Sequence, residues 1–356
     1  MLAMSSIISG VGSYLPTLRI TNQDFIAHRF YKGIDQPFED SNEVIIQKFK
    51  EITGIEERRY AQKEQTNSDL GIIAAQNAIA AANIDVEKLD YIIFAHNFGD
   101  VRFASNHLDM LPALAARVKH ALGIENPNCV AYDMLFGCPG WIEALIQAHL
   151  FIKAGAAQHC LVIGSETLSR VVDPHDRDSM IFADGAGACV LSADETSECG
   201  ILAHATQTFT KDEAYFLNNG PSLNSKHHIH EKYIKMQGRK IYEFALTKVP
   251  QAMKAALDKS GVGIEDVKKI FIHQANEKMD EAIIDRFYRL YRAQRPEGIM
   301  PMNIQFNGNS SVATVPTLLD AVIRGEYPEH ELNKGDVIIL ASVGAGMNIN
   351  AVVYRW

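Results

Sequence analysis

Residues 129–156, CVAYDMLFGCPGWIEALIQAHLFIKAGA, place an apolar run before a Gly-Cys-Pro-Gly turn and an amphipathic stretch after it. Apolar run, tight turn and helical periodicity in this order predict a strand, a loop and a helix. Further strand-like runs are found elsewhere, separated in several places by helical patterns: residues 91–94, 161–164, 269–272 and 337–340. This alternation predicts an α/β fold.

A similar succession occurs twice along the chain. DYIIFAHN (90–97) precedes the strand, the Cys138 turn and the helix quoted above, and KKIFIHQAN (268–276) precedes the strand-like PMNIQ (301–305), a turn with Asn309 and a helical stretch. Both leading strands end in a histidine, His96 in one case and His273 in the other. The shared order indicates a duplicated α/β unit. Because any α/β protein contains strand–turn–helix units, the pattern alone leaves both interpretations open.

The composition is that of a globular protein. The 356 residues are 47% hydrophobic and 22% charged, with a formal net charge of −9, which excludes disordered and collagen-like chains. There is no run of about 18 or more apolar residues, and the first residues lack the basic start of an export signal. We therefore expect no membrane span, no export and a cytoplasmic location. The acidic balance without basic runs argues against a nucleic-acid partner.

Cys138 stands out among the five cysteines of the chain. Because five is an odd number and no CxxC pair occurs, the cysteines are expected to be reduced thiols. Pro139 follows it, and proline is favoured at the first helical position, so the thiol would meet the positive end of the helix dipole. That location predicts a lowered thiol pKa and a nucleophilic thiolate. A small buried hydrophobic role is the alternative. The other cysteines are interpreted in that way: Cys129, Cys160, Cys189 and Cys199.

His273 and Asn309 become candidates together with Cys138. His273 ends an apolar run, and ligands bind at the carboxyl ends of strands in open α/β sheets. Asn309 lies in the turn FNGNSSVATVP (306–316), where asparagine and serine are also ordinary turn and cap residues. A thiol, an imidazole and a carboxamide also form the site of cysteine proteases, so the three residues do not decide between hydrolysis and acyl transfer.

Four other segments give weaker signals. FADGAGACV (182–190) lacks the lysine of a phosphate-binding loop and predicts tight strand packing or a dimer contact. KHHIH (226–230) lacks cysteines or carboxylates at ligand spacing, so no metal site is expected. GIEERRY (54–60) is interpreted as a solvated turn with ion pairs, with a contact of its arginines to an anionic ligand as the alternative. The polar stretch 211–240 is interpreted as an excursion from the fold.

Seven landmarks in one order resemble a known family. They run almost from end to end: GSYLP with TN (12–22), TGIEERR (53–59), CPGW (138–141), SETLSRVVDPHDRDS leading into FADGAGA (165–188), IHQAN (272–276), NGNSSVATVP (307–316) and VGAGMNINAVVYRW (343–356). The set is similar to β-ketoacyl-ACP synthase III of the thiolase superfamily. The resemblance implies an α/β thiolase-like αβαβα five-layered sandwich of two similar halves and a homodimer. The halves would be residues 1–196 with the cysteine and 197–356 with the histidine and asparagine.

The resemblance also implies a role for each matching residue. Cys138 would accept an acyl group from a thioester of coenzyme A (CoA) or acyl carrier protein (ACP). His273 and Asn309 would bind the malonyl thioester carbonyl while carbon dioxide leaves, and the amides of Cys138 and Ala345 would form the oxyanion hole. The product would be a β-ketoacyl-ACP that initiates fatty-acid or related synthesis. No cofactor is implied beyond the CoA or ACP thioesters that serve as substrates.

Departures from the family pattern fall at substrate-binding positions. Lys48 and Ile52 stand where the family has a tryptophan and an arginine that clamp the adenine of CoA, whereas Arg170 is retained. Lys278 replaces an arginine just after the HQAN motif, whose Asn276 is assigned to substrate binding by the same resemblance. Loss of the tryptophan ring removes a stacking contact with the adenine of about 1 kcal/mol. The donor is therefore either an acyl-ACP or a CoA thioester held in another way.

Leu111 stands where the family often places a phenylalanine that reaches across the dimer into the acyl pocket of the partner. Its smaller side chain predicts an acyl primer longer than acetyl. Residues 98–110 just before it look longer than usual for the family. A specialised condensing enzyme of secondary metabolism and a non-catalytic partner subunit remain as alternatives, the second disfavoured because all three catalytic residues are present.

Docking of an acidic ACP on this acidic chain would require a local basic patch. Basic residues on either side of the HQAN motif are the candidates: Lys232, Lys235, Arg239, Lys240 and Lys278. Ordinary solvated helix charge is the alternative interpretation.

Overall fold

The computed structural model describes residues 4–227 and 230–356. The strands in these ranges are β1 (Ser5–Tyr14), β2 (Leu18–Thr21), β3 (Tyr31–Gly33), β4 (Gln36–Pro37), β5 (Glu57–Tyr60), β6 (Tyr91–Ala95), β7 (Val130–Met134), β8 (His159–Thr167), β9 (Asp184–Asp194), β10 (Gly200–Thr208), β11 (Leu217–Gly220), β12 (Tyr233–Met236), β13 (Val267–Ile272), β14 (Val337–Gly344) and β15 (Asn348–Arg355). The helices are α1 (Asn42–Thr53), α2 (Asn67–Ala82), α3 (Leu114–Ala121), α4 (Gly140–Lys153), α5 (Gly238–Ser260), α6 (Glu277–Leu290), α7 (Ile304–Asn307) and α8 (Thr314–Ile323). No helix in the described ranges is long and apolar enough to cross a membrane.

Two large sheets carry the fold. The first has five strands in the order β1-β9-β8-β6-β7, and the second has four in the order β10-β15-β14-β13. Strands β6, β7 and β8 run parallel, and so do β13 and β14, while the remaining pairings are antiparallel. The first sheet ends at Asp194 and the second begins at Gly200, so each sheet comes from one part of the sequence. The predicted α/β fold is confirmed.

Alternating side chains of the strands separate five layers. On β6, Ile92 packs with α2 and α3, whereas Ile93 faces the other way into a core with α4 and α8. On β14, Ile338 joins the same central core, whereas Ile339 packs with α5 and α6. Because successive side chains of a strand point to opposite faces, each sheet is covered by helices on both sides. The layers are therefore αβαβα, as the thiolase-like prediction requires.

The strand predicted at residues 301–305 is wrong. This segment stays outside the second sheet and leads into the short helix α7. The side chain of Gln274 accounts for the difference: its Nε2 donates to the Pro301 carbonyl at 2.9 Å, and its Oε1 accepts from the Asn303 amide at 3.0 Å. One carboxamide thus supplies two hydrogen bonds that a neighbouring strand would provide, and Pro301 has no N–H for a ladder.

The solvated turn predicted at residues 54–60 is also wrong. Its second half forms β5, antiparallel to β2, and Arg58 is fully buried. The Nη2 group of Arg58 donates to the Met180 carbonyl and to Asn22 Oδ1, both at 2.7 Å. Burial lowers the pKa of Arg58 to about 10. The ion-pair part of the prediction holds, because Glu57 pairs with two neighbouring arginines.

Three other segments complete the comparison with the sequence. The stretch 211–240 contains β11 and β12, which form a small sheet of their own, as expected for an excursion. In β9, a side-chain carbon on Gly187 would lie 2.6 Å from the Pro316 side chain, so this glycine permits the tight packing that was predicted. The prediction about a metal at 226–230 falls partly on residues 228–229, which lie outside the described residues.

Candidate active site

Cys138 lies in the turn that joins β7 to α4. The preceding Gly137 has φ +71°, a left-handed conformation that glycine adopts without strain. Helix α4 begins at Gly140 with Pro139 as its N-cap, one position earlier than predicted for this proline. Cys138 therefore stands beside the helix start, as expected, but outside the helix.

Gly344, the last residue of β14, and the loop after it pack directly on this turn. A side-chain carbon on Gly344 would lie 2.4 Å from the Cys138 amide nitrogen, and one on Gly137 would lie 2.7 Å from the Ala345 amide nitrogen. Real side-chain carbons do not approach backbone atoms so closely, so both positions require glycine unless the backbone shifts. The structure thus brings together the backbone of Cys138 and of Ala345, the two residues predicted to form an oxyanion hole.

His273 follows β13 and is almost fully buried. Its Nδ1 lies 2.6 Å from the Thr314 hydroxyl, which is also 2.9 Å from the Ser311 carbonyl. Burial lowers the pKa of His273 to about 4, so the ring is neutral near pH 7. A neutral imidazole does not form the thiolate–imidazolium pair that activates the nucleophile of papain-like proteases.

Asn309 lies in the buried connection between α7 and α8. Its backbone is fixed on both sides, because its amide donates to the Ile181 carbonyl at 2.9 Å and its carbonyl accepts from the Ala183 amide at 2.8 Å. Its side-chain Oδ1 accepts a hydrogen bond from the Ser311 amide at 2.8 Å. This arrangement turns the carboxamide so that Nδ2 remains available as a donor.

Ser311 contacts Cys138, Asn309 and Thr314, although sequence reasoning did not single it out. Its hydroxyl donates to Cys138 Sγ at 3.2 Å, its amide donates to Asn309, and its carbonyl bonds the same Thr314 hydroxyl that holds His273. It is a buried serine with φ +53°, a conformation that side-chain-bearing residues rarely adopt. The only signal in the sequence was the doubled serine after Asn309, which turns commonly contain.

The lowered pKa predicted for Cys138 is wrong. Burial raises the pKa of this thiol to about 11, the carboxyl of Glu166 adds to the rise, and the hydrogen bond from Ser311 opposes it. Loss of water around the charged sulfur outweighs the favourable field of the helix start. The resting residue is therefore a thiol at neutral pH.

A cavity of about 210 Å³ opens at the Cys138 sulfur. Its lining is mostly apolar and comes from both halves of the chain: Asn97, Phe98, Gly137, Cys138, Leu168, Phe182, Leu217, Asn218, Asn219, Ile234, Ser311 and Ala345. The hairpin of β11 and β12 supplies one wall. The polar excursion between residues 211 and 240 thus contributes to the site, which the sequence did not indicate.

Asn97 and Glu166 are two further residues that sequence reasoning missed. Glu166 is fully buried, and its Oε1 accepts from both the backbone amide and the Nδ2 group of Asn97, at 2.7 and 2.5 Å. Asn97 Nδ2 also donates to the Ser311 hydroxyl at 3.2 Å. Burial raises the pKa of Glu166 to about 8. A lone glutamate at the end of a strand gave no sequence signal for this role.

Arg170 lies apart from the Cys138 cavity. It lines a second cavity of about 820 Å³, where its Nη2 donates to the Gln62 carbonyl at 2.8 Å. Phe103 belongs to the segment 98–110, which was noted above for its length. Its ring centre lies 4.8 Å from the Arg170 guanidinium and 5.2 Å from the Lys63 ammonium. This aromatic ring covers the retained arginine, a feature that the sequence did not reveal.

The remaining predicted binding residues are spread over the surface. Asn276 caps α6, because its Oδ1 accepts from the Met279 amide at 3.0 Å, and Lys278 is exposed on the same helix. Leu111 has a side chain that is 89% exposed in the single chain. None of these residues lines the Cys138 cavity.

The two altered clamp positions lie on α1. Lys48 pairs with Asp40 at 2.9 Å, and Ile52 is exposed. Neither residue lines either of the two cavities around Cys138 and Arg170. In the single chain they therefore share no cavity with Arg170.

The predicted basic patch loses one member. Lys235 is largely buried and pairs with Asp173 at 2.6 Å and with Asp176 at 3.0 Å, so its charge is already neutralised. The other four side chains are exposed: Lys232, Arg239, Lys240 and Lys278. Arg239 pairs with Glu243 on the same helix face, an exposed pair of small energetic weight.

The other cysteines are free thiols among the described residues. Cys129, Cys160 and Cys189 are buried, as predicted, whereas Cys199 is half-buried and bonds the Trp356 carbonyl. Burial raises the pKa of the Cys129 thiol, which makes it a poor nucleophile.

Comparison with known proteins gives a consistent result. The family model 3-oxoacyl-[acyl-carrier-protein (ACP)] synthase III matches residues 132–209, and its C-terminal counterpart matches residues 257–356. A β-ketoacyl-[acyl-carrier-protein] synthase III of Brucella anthropi is 32% identical over 357 residues, which covers 99% of each chain. One of Cereibacter sphaeroides is 33% identical over 364 residues and covers all of both chains.

Solved structures agree with the sequence matches. The 3-oxoacyl-[acyl-carrier-protein] synthase III of Aquifex aeolicus superposes with a TM-score of 0.78 at 32% identity, covering 99% of this chain and 100% of that one. With full-length matches above 30% identity and the Cys138 turn, His273 and Asn309 gathered around Ser311, this chain belongs to the β-ketoacyl-ACP synthase III family of acyltransferase-type condensing enzymes.

Proposed function

We propose that Cys138 carries the acyl group in the condensation that initiates fatty-acid synthesis, and that His273 and Asn309 bind the malonyl thioester. One observation supports this assignment above the others. Ser311 bonds the Cys138 sulfur through its hydroxyl and Asn309 through its amide, and it reaches His273 through Thr314. A nucleophile and two neutral polar side chains are thereby held around one cavity.

The first half-reaction loads the enzyme. The Cys138 sulfur attacks the carbonyl carbon of the donor thioester, a new C–S bond forms, and the negative charge passes to the carbonyl oxygen. The amides of Cys138 and Ala345 stabilise this oxyanion, and such donors are most effective when they are fixed in advance. The donor C–S bond then breaks, and the thiol of CoA or ACP leaves with the proton that Cys138 gave up.

The second half-reaction joins two carbons. The carboxylate of a malonyl thioester leaves as carbon dioxide, and the electron pair of the broken bond forms an enolate whose oxygen accepts hydrogen bonds from His273 and Asn309. Neutral donors suit this step, because they retain their protons while the charge develops. The enolate carbon attacks the acyl carbonyl on Cys138, the C–S bond breaks, and the Cys138 thiolate takes up a proton from solvent.

The cavity favours a primer longer than acetyl. Its volume of about 210 Å³ is about seven times the ~30 Å³ that a water molecule occupies in the liquid. The apolar side chains around it include Phe98, Leu168, Phe182 and Ile234. A medium-length acyl chain would bury more apolar area there than acetyl, and burial contributes about 0.8 kcal/mol per methylene.

The donor side favours an acyl-ACP over a CoA thioester. Phe103 covers the Arg170 guanidinium, and the Lys48 ammonium is engaged by Asp40. The same two features favour, as a second candidate, a specialised condensing enzyme with another donor or acceptor. The identity of the acceptor that discharges the acyl group separates the two functions.

We also propose a homodimer. Strand β7 lies at the edge of the first sheet, and an unpaired edge strand is a template for pairing with another chain. Large apolar side chains are exposed near it: Val130 at 46%, Leu135 at 61% and Leu111 at 89%. Leu111→Glu combined with Leu135→Glu should lower the mass measured by sedimentation equilibrium from dimer to monomer. A dimeric mass in that double variant, or a monomeric wild type, would contradict the proposal.

ACP is the proposed partner in the second half-reaction and the favoured one in the first, and Arg239 and Lys278 are the proposed docking cations. Reversing both charges with Arg239→Glu and Lys278→Glu should lower kcat/KM for malonyl-ACP several-fold, because docking of an acidic carrier depends on opposite charge. The rate with a malonyl thioester of a small thiol should not change. The control replaces two exposed lysines outside the patch, Lys88→Glu with Lys334→Glu, and changes the net charge by the same amount. Equal losses in the double variant and the control would exclude the patch.

Intact-protein mass spectrometry tests the main proposal. The wild-type chain and Cys138→Ala are mixed with acyl-CoA and acyl-ACP donors from two to twelve carbons, and the mass of the adduct identifies the donor. Acylation that is absent from the variant and discharged by malonyl-ACP with release of carbon dioxide supports the condensing function. Discharge by a different acceptor alone supports the second candidate. Absence of acylation by every donor overturns both.

A further inference from the structure

A chain of hydrogen bonds leads from a buried carboxyl group to the nucleophile. Glu166 Oε1 accepts from Asn97 Nδ2 at 2.5 Å, Asn97 Nδ2 donates to Ser311 Oγ at 3.2 Å, and Ser311 Oγ donates to Cys138 Sγ at 3.2 Å. All four residues are buried or half-buried, and Glu166 and Ser311 are at most 3% exposed. Little water competes for these groups, so each hydrogen bond is stronger than on the surface.

The direction of the chain follows from donor and acceptor capacity. Glu166 Oε1 also accepts from the Asn97 backbone amide at 2.7 Å, so the Asn97 carboxamide must turn its NH₂ group toward the carboxyl. The second hydrogen of that NH₂ group meets the Ser311 oxygen. Because the Ser311 oxygen accepts this hydrogen, the proton of its own hydroxyl is available for another hydrogen bond. The Cys138 sulfur is the neighbour that can accept it. This order of donors and acceptors is the same whether or not the second oxygen of Glu166 carries a proton.

We propose that Ser311 is a catalytic residue whose hydroxyl stabilises the Cys138 sulfur as it becomes and leaves as a thiolate, and that Asn97 and Glu166 are positioning residues that orient this hydroxyl. The inference rests on the proposed role of Cys138 as the nucleophile. It adds a donor at the sulfur, separate from the amides that hold the carbonyl oxygen.

The surroundings of the sulfur make such a donor necessary. Burial, with a further contribution from the Glu166 carboxyl, holds the thiol pKa far above neutrality, and His273 is neutral and bonded through Nδ1 to Thr314. Among the described residues, the charges that act on the thiol or on Glu166 come from Glu166 on β8 and Asp184 on β9, and His273 after β13 is neutral. None of these brings a positive charge to the sulfur. A hydrogen bond to a charged acceptor is about twice as strong as one between neutral groups, so this bond strengthens as the charge forms.

Alkylation of Cys138 by iodoacetamide measures the nucleophile without any substrate. Its rate is followed by peptide mass spectrometry over a range of pH, with Cys138→Ala as the blank for the other cysteines. Ser311→Ala and Ser311→Gly both remove the hydroxyl, but only glycine relaxes the backbone at φ +53°. Both variants should react about tenfold more slowly at a fixed pH below the thiol pKa, a ratio that corresponds to ~1.4 kcal/mol. The midpoint of their pH profile should rise by about one unit.

The positioning residues are tested by substitutions that keep or remove their hydrogen-bonding atoms. Glu166→Gln retains an oxygen that can accept from Asn97, whereas Glu166→Ala does not, so the glutamine variant should react faster than the alanine variant. Asn97→Asp cannot donate to Ser311 and should resemble Ser311→Ala. Thermal unfolding of each variant, followed by circular dichroism, identifies any that are unfolded, and the Ser311 pair then decides alone.

Two outcomes would overturn the inference. Wild-type alkylation rates in both Ser311 variants would show that the hydroxyl does not act on the sulfur. A slow Ser311→Ala beside a wild-type-like Ser311→Gly would assign the effect to backbone strain. Failure of the condensing function itself would appear elsewhere, as a wild-type chain that alkylates normally but is acylated by no thioester.

Discussion

At the scale of single residues, the Thr314 hydroxyl decides the form of His273. It lies 2.6 Å from the imidazole Nδ1 and 2.9 Å from the Ser311 carbonyl, and it has one proton to give. If the proton goes to Nδ1, the neutral ring carries its own proton on Nε2 and can donate to a thioester oxygen. If it goes to the carbonyl, the ring must carry its proton on Nδ1. One rotatable bond therefore sets the tautomer on which decarboxylation depends.

Thr314→Val should slow decarboxylation and spare acylation. Valine has nearly the shape of threonine but no hydroxyl, so His273 loses the partner that fixes its ring, and carbon dioxide release should fall on the order of tenfold or more. The rate at which Cys138 takes up an acyl group should stay within about twofold, because His273 does not act in that step. Radiolabelled malonyl-ACP measures the first rate and rapid-quench mass spectrometry the second.

Thr317→Val is the matched control. The Thr317 hydroxyl bonds the backbone carbonyls of Ala313 and Thr314, at 2.7 and 3.1 Å, and no side chain of the site. Its removal should leave both rates unchanged. Equal slowing of both steps in Thr314→Val, or equal effects of the two substitutions, would contradict the role of Thr314 in setting the His273 tautomer.

At the scale of elements, the contact between the loop after β14 and the Cys138 turn joins the two halves at the site. The Gly344 backbone is extended, with φ −168°, so an alanine there is not strained by its own conformation. Its side-chain carbon would instead lie 2.4 Å from the Cys138 amide nitrogen and push the two segments apart. Geometry at an oxyanion site must be held closely, so this displacement bears directly on the rate.

Gly344→Ala should lower the acylation rate at least tenfold and destabilise the fold by about 1–3 kcal/mol. Gly238→Ala is the control, because no atom lies within 4 Å of the added carbon at the start of α5. Stopped-flow acylation and urea denaturation measure the two effects. An unchanged acylation rate in Gly344→Ala would show that the loop adapts and that its close approach is not required.

The elements also show what the sequence could predict. Strands with strong apolar runs and the turn with Cys138 were predictable, because periodicity and glycine–proline chemistry are local signals. The structure of segment 301–305 was not predictable, because its backbone forms hydrogen bonds with the side chain of Gln274, which is distant in sequence. The charge of Arg58 predicts an exposed side chain, yet Met180 and Asn22 accept its hydrogen bonds in the interior. Contacts between residues far apart in sequence decided both cases.

The site follows the same rule. Cys138, His273 and Asn309 were recognisable from residue type and motif. The raised thiol pKa and the roles of Asn97 and Glu166 depend on burial and on contacts across long sequence separations, which no local pattern encodes. Burial reversed the prediction for the thiol, because desolvation of a charge is larger than the field of one helix end.

At the scale of the whole molecule, buried histidines couple stability to pH. His149 on α4 bonds the Ser6 hydroxyl of β1 at 2.5 Å and lies edge-on to His204 on β10, so it links the two sheets. Burial lowers the pKa of His149 to about 4, below its usual 6.5. As pH falls, the unfolded chain binds this proton first, so the free energy of unfolding decreases from about pH 6.5 to pH 4 and is fully retained above that window.

His149→Gln should flatten this dependence. The slope of unfolding free energy against pH between 4.5 and 6.5 should fall by up to about 1.4 kcal/mol per pH unit, the contribution of one proton. Urea denaturation at a series of pH values gives the slope, whatever the absolute stability of the variant. The exposed His120→Gln should keep the wild-type slope. A wild-type slope in His149→Gln would mean that this histidine does not couple folding to protons.

The division of the site between the two sheets has a consequence for protein synthesis. A nascent chain that has completed the first sheet already contains Cys138, but the loop at Gly344 and Ala345 emerges only after β14 has been made. When the first sheet is complete, the thiol therefore lacks His273, Asn309, Ser311 and Ala345, of which Ala345 is made last. We therefore expect a nascent chain to form no acyl-enzyme before its last strands have been made.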